Sequence, residues 1–461
     1  MSDLSAEVVI CGAGIAGIAT AYHLAVKHNL TDVIIVDPES PLSVTSDKSF
    51  EGYRNWWPGP GDAMVALMNH SIDLLEEMHA QQPDLLAMDR GGYVFVSGDA
   101  TKAEAWIAGA QESCELGAGE LRIHDGRADA PIYTPITEHG LLDAPPGADI
   151  LLDQALIREH FPHLSQETKL ILHARRCGWF AARQFGMHML EKAREQGVRL
   201  LRGEVIAVET TNSAVSAVQV MTETGQVSVQ TSNFVNAAGP GQKKVGQMLG
   251  VEVPVLFELH MKVAIQDHKR LIPRNMPLTI WMDTQMLDWS DEERAFLAED
   301  EQFHDLLEQY PPIVVTRPDG GPESQIVLIQ SDHRIQPHKP LFPLPMDEWF
   351  PELTLRALCT MLPKLATYLD HMPNPYMDGG YYVRTLENRP IVGPIQGIKG
   401  AFILGGLGGS GMQLAPATGE LLADHIANAP LPHYAPAFLL ERYDDPDYQK
   451  LVAEWDATGN L

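Results

Sequence analysis

Three glycines near the start of the chain, Gly12, Gly14 and Gly17, have the spacing G-x-G-x-x-G within "VVICGAGIAGIATAYHLAVKH" (residues 8–28). Glycine at these positions allows a tight turn, a close approach of a diphosphate to the backbone, and close packing of a helix on a strand. The helix would present free amides and a partial positive charge to the phosphates. Asp37 follows about twenty residues after the last glycine, where a carboxylate binds the ribose of a dinucleotide. The sequence therefore predicts a dinucleotide site; a glycine turn without a ligand is the alternative.

Two further segments have small residues that would let a backbone approach a cofactor. "AFILGGLGGSGMQLAPATGELLADHI" (401–426) predicts a strand, a glycine turn and a helix that begins near Met412. Such a turn directs amides at an electron-rich group, and a flavin ring gains negative charge on reduction. "FVNAAGPG" (234–241) predicts a strand followed by small residues. An ordinary packing turn is the alternative for both segments. A nicotinamide dehydrogenase is disfavoured because it would leave the C-terminal glycines without a ligand.

The elements that position these residues follow from hydrophobic periodicity. A buried strand at 7–11, a helix to about His28 and a strand at 33–37 form one βαβ unit. Further predicted elements are a helix at 62–81, a strand at 92–98 and a helix at 183–197. The cofactor-type segments lie at the start, in the middle and at the end, with segments of different character between them. We therefore expect one discontinuous domain and a second domain built from insertions.

Composition argues against several classes of protein. With 461 residues, 45% of them apolar and 20% charged, the chain has the composition of a globular protein of two to three domains. The net charge of -28 argues against nucleic acid or an anionic membrane as a partner. Four scattered cysteines favour a reducing compartment over disulfides or a zinc site, and we expect no metal. No basic leader or membrane span is predicted, so we expect a cytoplasmic protein.

A fourth motif, "GYYVRTLENRPIVGP" (380–394), completes a pattern. In order and separation, the motifs resemble those of the D-amino acid oxidase-type (DAO) family of FAD-dependent oxidoreductases. The fourth is similar to that of the branch with sarcosine oxidase β, proline dehydrogenase β and dimethylglycine dehydrogenase. The resemblance implies an α/β fold (α+β overall), with a discontinuous Rossmann-like FAD-binding domain and an inserted substrate domain on an antiparallel sheet. We expect the FAD-binding domain at 1–85, 151–254 and 377–461, and the substrate domain at 86–150 and 255–376.

The resemblance also implies which residues contact FAD. The first glycine turn would bind the pyrophosphate, Asp37 the adenosine ribose and Val205 the adenine, through its backbone. The turn at 408–412 would meet the flavin ring, and the segment "SDKSFEGYRNWWPGPG" (46–61) would run beneath it. The implied set is Gly12, Ala13, Gly14, Ile15, Ala16, Gly17, Asp37, Pro38, Ser46, Lys48, Ser49, Val205, Ala238, Gly239, Gly408, Gly409, Ser410, Gly411 and Met412.

Two departures from relatives that attach their flavin covalently imply non-covalent FAD. Gly380 stands where monomeric sarcosine oxidases have the attaching cysteine. Dimethylglycine dehydrogenases attach their flavin through a histidine soon after the first βαβ unit, and the segment "TSDKSFEGYRNWW" contains no histidine.

The substrate contacts implied by the resemblance differ from those of the simplest relatives. In glycine and D-amino acid oxidases, an arginine three residues before the motif's threonine binds the substrate carboxylate. Here the threonine is Thr385 and that position is Tyr382, which weakens a D-amino acid oxidase interpretation. We expect substrate contacts from Tyr382, Tyr381, Arg384 and Arg54. In an extended strand Tyr382 and Arg384 share one face and Tyr381 lies on the other.

Other side chains have two interpretations each. Some oxidases of the family place a lysine beside the flavin to assist reaction with dioxygen, and Lys262 or Lys269 would be its counterpart here. A solvated lysine at a strand edge is the alternative. His260 is expected to be structural. Trp56 and Trp57 either face the substrate or pack a domain junction.

The resemblance implies an enzyme that oxidises the C–N bond of an amino acid or of a secondary or tertiary amine. A hydride would pass to flavin N5, and the resulting imine would hydrolyse in water. The expected partners are the amine or amino-acid substrate and dioxygen or another electron acceptor, with no nucleic acid. A homo-oligomer is left open, because the sequence does not fix the oligomeric state. Two alternatives stay open: dehydrogenation of a 2-hydroxy acid or polyol phosphate, and a flavoprotein with an assembly role. The sequence does not identify the substrate, the acceptor or the role of the acidic segment near 283–310.

Overall fold

A computed structural model describes residues 4–57, 59–136, 144–331, 336–337 and 339–454. Its central sheet has six strands, of which the first five in spatial order are parallel and the last is antiparallel to its neighbour. The spatial order is Arg199–Arg202, Val33–Asp37, Val8–Cys11, Asn233–Asn236, Ala401–Gly405 and Ile391–Pro394. The middle strands Val8–Cys11, Asn233–Asn236 and Ala401–Gly405 are almost wholly buried because helices or a second sheet cover both faces of a parallel sheet.

Helices pack around this sheet. Ile15–Val26 lies between Ala182–Glu195 and Gly411–Ala427, and Ala63–Gln81 packs on the last of these. Residues of all four helices belong to one buried apolar cluster. The other α-helices are Pro83–Leu86, Ala103–Ser113, Gln154–His160, Gln242–Met248, Asp291–Ala298, Phe350–Met361 and Pro446–Glu454. The predicted α/β fold with a Rossmann-like sheet is confirmed.

A second sheet has nine strands and is mainly antiparallel. Its parallel pairs are Leu278–Trp281 with Tyr93–Ser97 and Leu121–His124 with Ala148–Leu151. The spatial order is Tyr376–Arg384, Leu256–Gln266, Ile326–Gln330, Val314–Asp319, Leu278–Trp281, Tyr93–Ser97, Leu170–Ala174, Ala148–Leu151 and Leu121–His124. This sheet forms one wall of the larger cavity described below.

The sheets bear on the proposed domain boundaries. Two strands of the nine-stranded sheet lie in segments that were predicted to bind FAD. Leu170–Ala174 lies within 151–254, and all of Tyr376–Arg384 except its first residue lies within 377–461. The strand Tyr93–Ser97 pairs directly with Leu170–Ala174, so the chain returns to the FAD-binding part only after this strand. The two-domain division stays a proposal, and the sheet memberships favour later boundaries at both places.

Three smaller sheets complete the fold. Gly52–Arg54 pairs with Cys177–Trp179, which holds the loop after the second strand of the first βαβ unit against the body of the protein. The others are the four-stranded sheet Leu4–Ser5, Gly225–Gln230, Ala214–Thr222 and Glu204–Thr211, and the pair Gln285–Met286 with Gln309–Tyr310. Within the described ranges, every helix is too short or too polar to cross a membrane.

Candidate functional site

The first glycine turn has the geometry that its sequence predicts. Gly12 has φ +115°, and a Cβ there would lie 2.3 Å from the carbonyl oxygen of Ala237. A Cβ on Gly17 would lie 2.0 Å from the carbonyl oxygen of Gly12. Only glycine fits at either position without a shift of backbone. Gly14 differs, because its nearest neighbour would be Ser46 Oγ at 3.4 Å, an ordinary contact. The space in front of Gly14 is therefore open to a ligand.

Asp37 is fixed at the end of its strand by two backbone amides. Ala13 N–H donates to one carboxylate oxygen at 2.7 Å and Glu39 N–H donates to the other at 2.8 Å. Burial raises the pKa of Asp37, while these two bonds oppose the change. Ser46 Oγ accepts from Ile15 N–H at 3.0 Å, so the loop after Asp37 crosses the start of the first helix. Each oxygen retains capacity to accept from ribose hydroxyls.

A cavity of about 320 Å³ runs along this turn to the C-terminal glycines. Most of the residues implied as FAD contacts line it, and three do not. Gly17 packs the helix on its strand, Ser410 faces a larger cavity, and Lys48 Nζ lies 3.3 Å from carboxylates of Asp47 and Asp378. The implied residues that line the cavity are Gly12, Ala13, Gly14, Ile15, Ala16, Asp37, Pro38, Ser46, Ser49, Val205, Ala238, Gly239, Gly408, Gly409, Gly411 and Met412.

The C-terminal glycines pack closely against side chains of the fourth motif. Gly408 has φ +57°, and a Cβ there would lie 2.5 Å from Asn388 Oδ1. A Cβ on Gly409 would lie 2.7 Å from Cε2 of Tyr382. The helix Gly411–Ala427 follows, with no side-chain cap and no acidic residue in its first turn. Its first amides therefore face the cavity with a partial positive charge that an electron-rich ligand can use.

A larger cavity of about 970 Å³ adjoins the first, and Ser49, Tyr382 and Gly409 line both. Its polar wall includes three of the predicted substrate contacts, Arg54, Tyr382 and Arg384. The sequence interpretation missed Glu258, Gln330 and Gln413, and treated His260 as structural; all four also line this cavity. Alternation along the strand after 256 was a usable signal for Glu258 and His260. Gln330 had none, because its strand is placed by long-range pairing.

Arg54 is the most unusual side chain in this wall. It is 5% exposed, and its guanidinium lies 5.2 Å above the ring centre of Trp57. Burial lowers its pKa, and none of the described carboxylates forms an ion pair with it. Its backbone N–H donates to Gln413 Oε1 at 2.5 Å, which ties the strand Gly52–Arg54 to the helix Gly411–Ala427. A buried arginine without a counter-ion is a binding group for an anion.

Arg384 and Tyr382, two further predicted substrate contacts, also line this cavity but have partners within the protein. Arg384 forms an ion pair with Glu258 and donates at 3.1 Å from Nη1 to the carbonyls of Thr385 and Leu386, so its charge is neutralised although Nε has no partner in the described part of the chain. The ring of Tyr382 stacks on His260, with centres 4.0 Å apart and planes at 17°.

Tyr381 lies on the other face of the strand, where it is fully buried. Its hydroxyl accepts from Leu341 N–H at 2.9 Å, and it lines only the smaller cavity. This placement gives no support to substrate contact by Tyr381. The reason is the strand alternation itself, which turns Tyr382 and Arg384 toward the larger cavity.

Lys262 donates from Nζ to the carbonyl oxygen of Ser49 at 2.7 Å, and burial lowers its pKa. It lines neither cavity but holds a residue that lines both. Lys269 donates to the carbonyl of Thr367 at 2.9 Å and is exposed. Trp56 and Trp57 are buried in the apolar cluster and do not line the larger cavity, which favours the packing interpretation.

Comparison with known proteins identifies the family. The family model for FAD-dependent oxidoreductases of the DAO type matches residues 7–425. The chain belongs to the DAO family. The predicted resemblance and the flavin cofactor FAD are therefore confirmed at the level of the family, which the family model describes as FAD-dependent oxidoreductases.

Several relatives of this DAO-family chain are distant in sequence. Human mitochondrial dimethylglycine dehydrogenase is 24% identical over 452 residues, which are 96% of this chain and 44% of that protein. The chain thus spans less than half the length of this relative. L-proline dehydrogenase from P. horikoshii is 18% identical with a TM-score of 0.70, over 98% of this chain and 100% of that one. Glycine oxidase from Bacillus cereus is 16% identical with a TM-score of 0.68, over 94% and 98%. Both solved structures share the fold of this chain.

The smaller cavity of this DAO-family chain fits FAD. Thr45 Oγ1 and Gln242 Oε1 are buried and lack hydrogen-bond partners within the described part of the chain, and both residues line the cavity. An unsatisfied buried polar atom costs about 1–3 kcal/mol, which the hydroxyl or phosphate groups of a cofactor would offset. Gly239, with φ +50° and nothing within 4 Å of its Cβ position, leaves further open space. The non-covalent attachment of FAD stays a prediction.

The turn of the fourth motif in this DAO-family chain is held by a buried carboxylate. Glu387 accepts from Arg442 at 2.8 Å and from the hydroxyls of Tyr443 and Tyr448 at 2.6 and 2.9 Å. Burial raises the pKa of Glu387, but Arg442 and the Tyr443 hydroxyl outweigh it, so the pKa is lowered overall. The C-terminal residues thereby fix the turn that carries Asn388 to the larger cavity.

We expect Glu387→Gln to lower the free energy of unfolding by about 3 kcal/mol, because Arg442 would stay buried without a counter-ion. The contribution of Glu387 is present above about pH 4.3, its unfolded pKa, and is lost as pH falls through the lower folded pKa. Denaturant titrations from pH 7 to pH 3 should show the difference between the proteins shrink on the acid side. Glu159→Gln, at an exposed carboxylate with no ion pair in the described ranges, is the matched control. An equal effect of both substitutions would contradict the assignment.

Proposed function

We propose that the chain oxidises the C–N bond of an amino acid whose carboxylate is bound by Arg54. The observation that carries this proposal is the buried guanidinium of Arg54, which lines the larger cavity without an ion-pair partner among the described residues. A guanidinium binds a carboxylate through two parallel hydrogen bonds, and the interaction is strong where water is excluded. Arg384 is a weaker candidate because Glu258 already neutralises it.

The names of the relatives support a substrate with a C–N bond. Dimethylglycine dehydrogenase, L-proline dehydrogenase and glycine oxidase are each named for an amino acid or an N-methylated amino acid. Arg54 alone would accept the carboxylate of a 2-hydroxy acid equally well. A nitrogen in the proposed substrate is therefore supported by the names of the relatives, and a carboxylate is supported by Arg54 in the cavity.

The chain's own residues would bind and orient this substrate. FAD, when bound, supplies the acceptor for the hydrogen and the electron pair. Arg54 would fix the carboxylate, and the Tyr382 ring, held between His260 and Gly409, would limit the position of the reacting carbon. The buried side chains of Leu278 and Ile280 exclude water from this part of the cavity. Lys262 would hold Ser49 at the junction of the two cavities.

The test is an anaerobic screen of the purified yellow protein. We expect amino acids to bleach the visible absorbance of the flavin, and the corresponding 2-hydroxy acids and polyol phosphates to leave it unchanged. Recovery of the absorbance when air is admitted would identify dioxygen as an acceptor. Bleaching by a 2-hydroxy acid alone would overturn the proposed C–N oxidation. A protein that no substrate class bleaches would favour a non-catalytic role.

A further inference from the structure

The larger cavity has an apolar wall that Arg54 and its polar neighbours do not explain. We define this apolar wall as Leu306, Pro311, Ile313, Phe350 and Leu353, all of which line the cavity. Leu306, Phe350 and Leu353 are at most 4% exposed and belong to a buried apolar cluster. None of the five lines the smaller cavity, so the apolar wall lies apart from the turns that hold the dinucleotide.

The apolar wall comes from parts of the chain that are separate from the cofactor site. Leu306 and Pro311 belong to the acidic segment and the residues just after it, and Phe350 and Leu353 lie in the helix Phe350–Met361. This helix packs on the strands Val314–Asp319 and Ile326–Gln330 of the nine-stranded sheet. Its cavity-facing side chains therefore have a fixed position. The acidic segment, whose role the sequence left open, supplies part of a cavity wall.

The size of the cavity exceeds the need of a small amino acid. At about 970 Å³ it lies at the upper end of the range of cavities that bind drug-sized ligands. The flavin ring implied to lie against the 408–412 turn would take up part of this space, since Gly409 and Ser410 line the cavity. A glycine-sized substrate of a few non-hydrogen atoms would still leave space for several water molecules, each of which occupies about 30 Å³ in the liquid. Water against an apolar wall is unfavourable, and an apolar group of the substrate would displace it.

Charge fixes the orientation of such a substrate. Glu308, which lies in the chain between Leu306 and Pro311 of the apolar wall, lines the cavity, whereas Arg54 lies in the polar wall. Carboxylates repel carboxylates, so the substrate's own carboxylate is favoured at Arg54 and its apolar group at the apolar wall. We infer that the substrate is an amino acid that carries a large apolar substituent, on its side chain or on its nitrogen. This inference rests on the proposed function for the amino acid and for Arg54 as its anchor.

The experiment uses non-reactive acids, so that binding is measured without turnover. The FAD-loaded protein is titrated with straight-chain carboxylic acids from acetate to octanoate, and the shift of the flavin absorption spectrum gives Kd. Burial of one methylene contributes about fourfold in affinity, so we expect Kd to fall by about that factor for each added carbon along most of the series. A Kd that is flat or rises beyond propionate would overturn the inference.

Two variants test whether the apolar wall causes the trend. Pro311→Asp introduces a charge at a partly exposed position and should abolish the gain with chain length while leaving the affinity for acetate within about twofold. Leu353→Ala should reduce the gain for octanoate alone, and it covers the case in which the first variant does not fold. Leu431→Asp, at an apolar side chain that is 44% exposed and does not line the cavity, is the control. A trend that is unchanged in both cavity variants would overturn the inference.

The outcome separates this inference from the proposed function. If long acids bind tightly but no amino acid bleaches the flavin, C–N oxidation is wrong and the apolar wall stands as a binding surface. If amino acids bleach the flavin with rates and affinities that do not depend on the apolar substituent, the inference about the substituent is wrong and the proposed function stands.

Discussion

Replacing Arg54 with methionine is expected to lower kcat/KM for the amino acid substrate by about 100-fold or more. Removing one partner of a buried charge pair costs about 3–5 kcal/mol, and the substrate carboxylate would become the unpaired charge. Methionine keeps a long apolar stem, so the contact with Trp57 and the strand Gly52–Arg54 should persist. Steady-state kinetics and the Kd of a non-reactive carboxylic acid should change together, because the lost interaction binds the substrate and not only the transition state.

Two further variants show whether the effect belongs to Arg54 as a binding group. Arg54→Lys keeps the charge but loses the paired donors, so we expect an intermediate loss of activity. Arg384→Met removes an arginine that Glu258 already neutralises, so its main effect should be on stability. A large loss of carboxylate binding in Arg384→Met, with little change in Arg54→Met, would show that Arg384, and not Arg54, binds the substrate anion. Thermal melting of each variant distinguishes misfolding from loss of binding.

The cofactor side of the site could be predicted from the sequence because its determinants are local. A strand, a glycine turn and a helix lie within some twenty residues, and the constraint at Gly17 acts within this unit. The constraint at Gly12 is the exception, because it comes from Ala237, which follows the neighbouring parallel strand. Asp37 follows from the same βαβ unit. The turn at 408–412 was found for the same reason, since strand, glycines and helix are contiguous. Local chemistry therefore fixed most contacts of the smaller cavity.

The substrate side could not be predicted in the same way because it depends on long-range pairing. The register between Leu256–Gln266 and Tyr376–Arg384 places Glu258 opposite Tyr382, and this pairing decides that Arg384 is neutralised. No local pattern reports that register. The predicted cofactor contact Lys48 is separate from the cavity for a similar reason, since Asp378 of the same nine-stranded sheet holds it. A charged residue in a cofactor loop can thus be bound by the protein itself.

Arg54 could be predicted in part, because its position is local but its burial depends on long-range pairing. The sequence places it in the loop that follows the first βαβ unit, but its importance depends on burial and on the absence of a counter-ion in the described part of the chain. Burial requires the pairing of Gly52–Arg54 with Cys177–Trp179, which lies in a distant part of the chain. Of the four predicted substrate contacts, Arg54 is a cation with no ion pair in the described part of the chain, and Tyr382 lines the same cavity.

Replacing Gly14 with valine is expected to lower the affinity for FAD by about 100-fold without unfolding the protein. Gly14 has φ −74° and ψ 179°, an extended conformation that valine adopts readily. Its Cβ would meet Ser46 Oγ at 3.4 Å, an ordinary contact, so the protein has room for a Cβ at this position. The valine methyl groups would instead enter the space in front of the first helix. The loss of one charge-assisted hydrogen bond to the pyrophosphate, at up to about 3 kcal/mol, accounts for the expected magnitude.

The comparison with two other glycines makes this prediction specific. Gly12→Ala should destabilise the fold, because its Cβ would lie 2.3 Å from a backbone oxygen and its φ is +115°. Gly109→Ala, in the helix Ala103–Ser113 with nothing within 4 Å, should leave FAD affinity unchanged and raise stability by at most about 1 kcal/mol. Flavin fluorescence gives the Kd of FAD for each apoprotein, and thermal melting gives its stability. If Gly14→Val binds FAD as tightly as Gly109→Ala, the pyrophosphate does not lie at Gly14. If Gly14→Val instead melts as early as Gly12→Ala, the glycine serves the fold and not the cofactor.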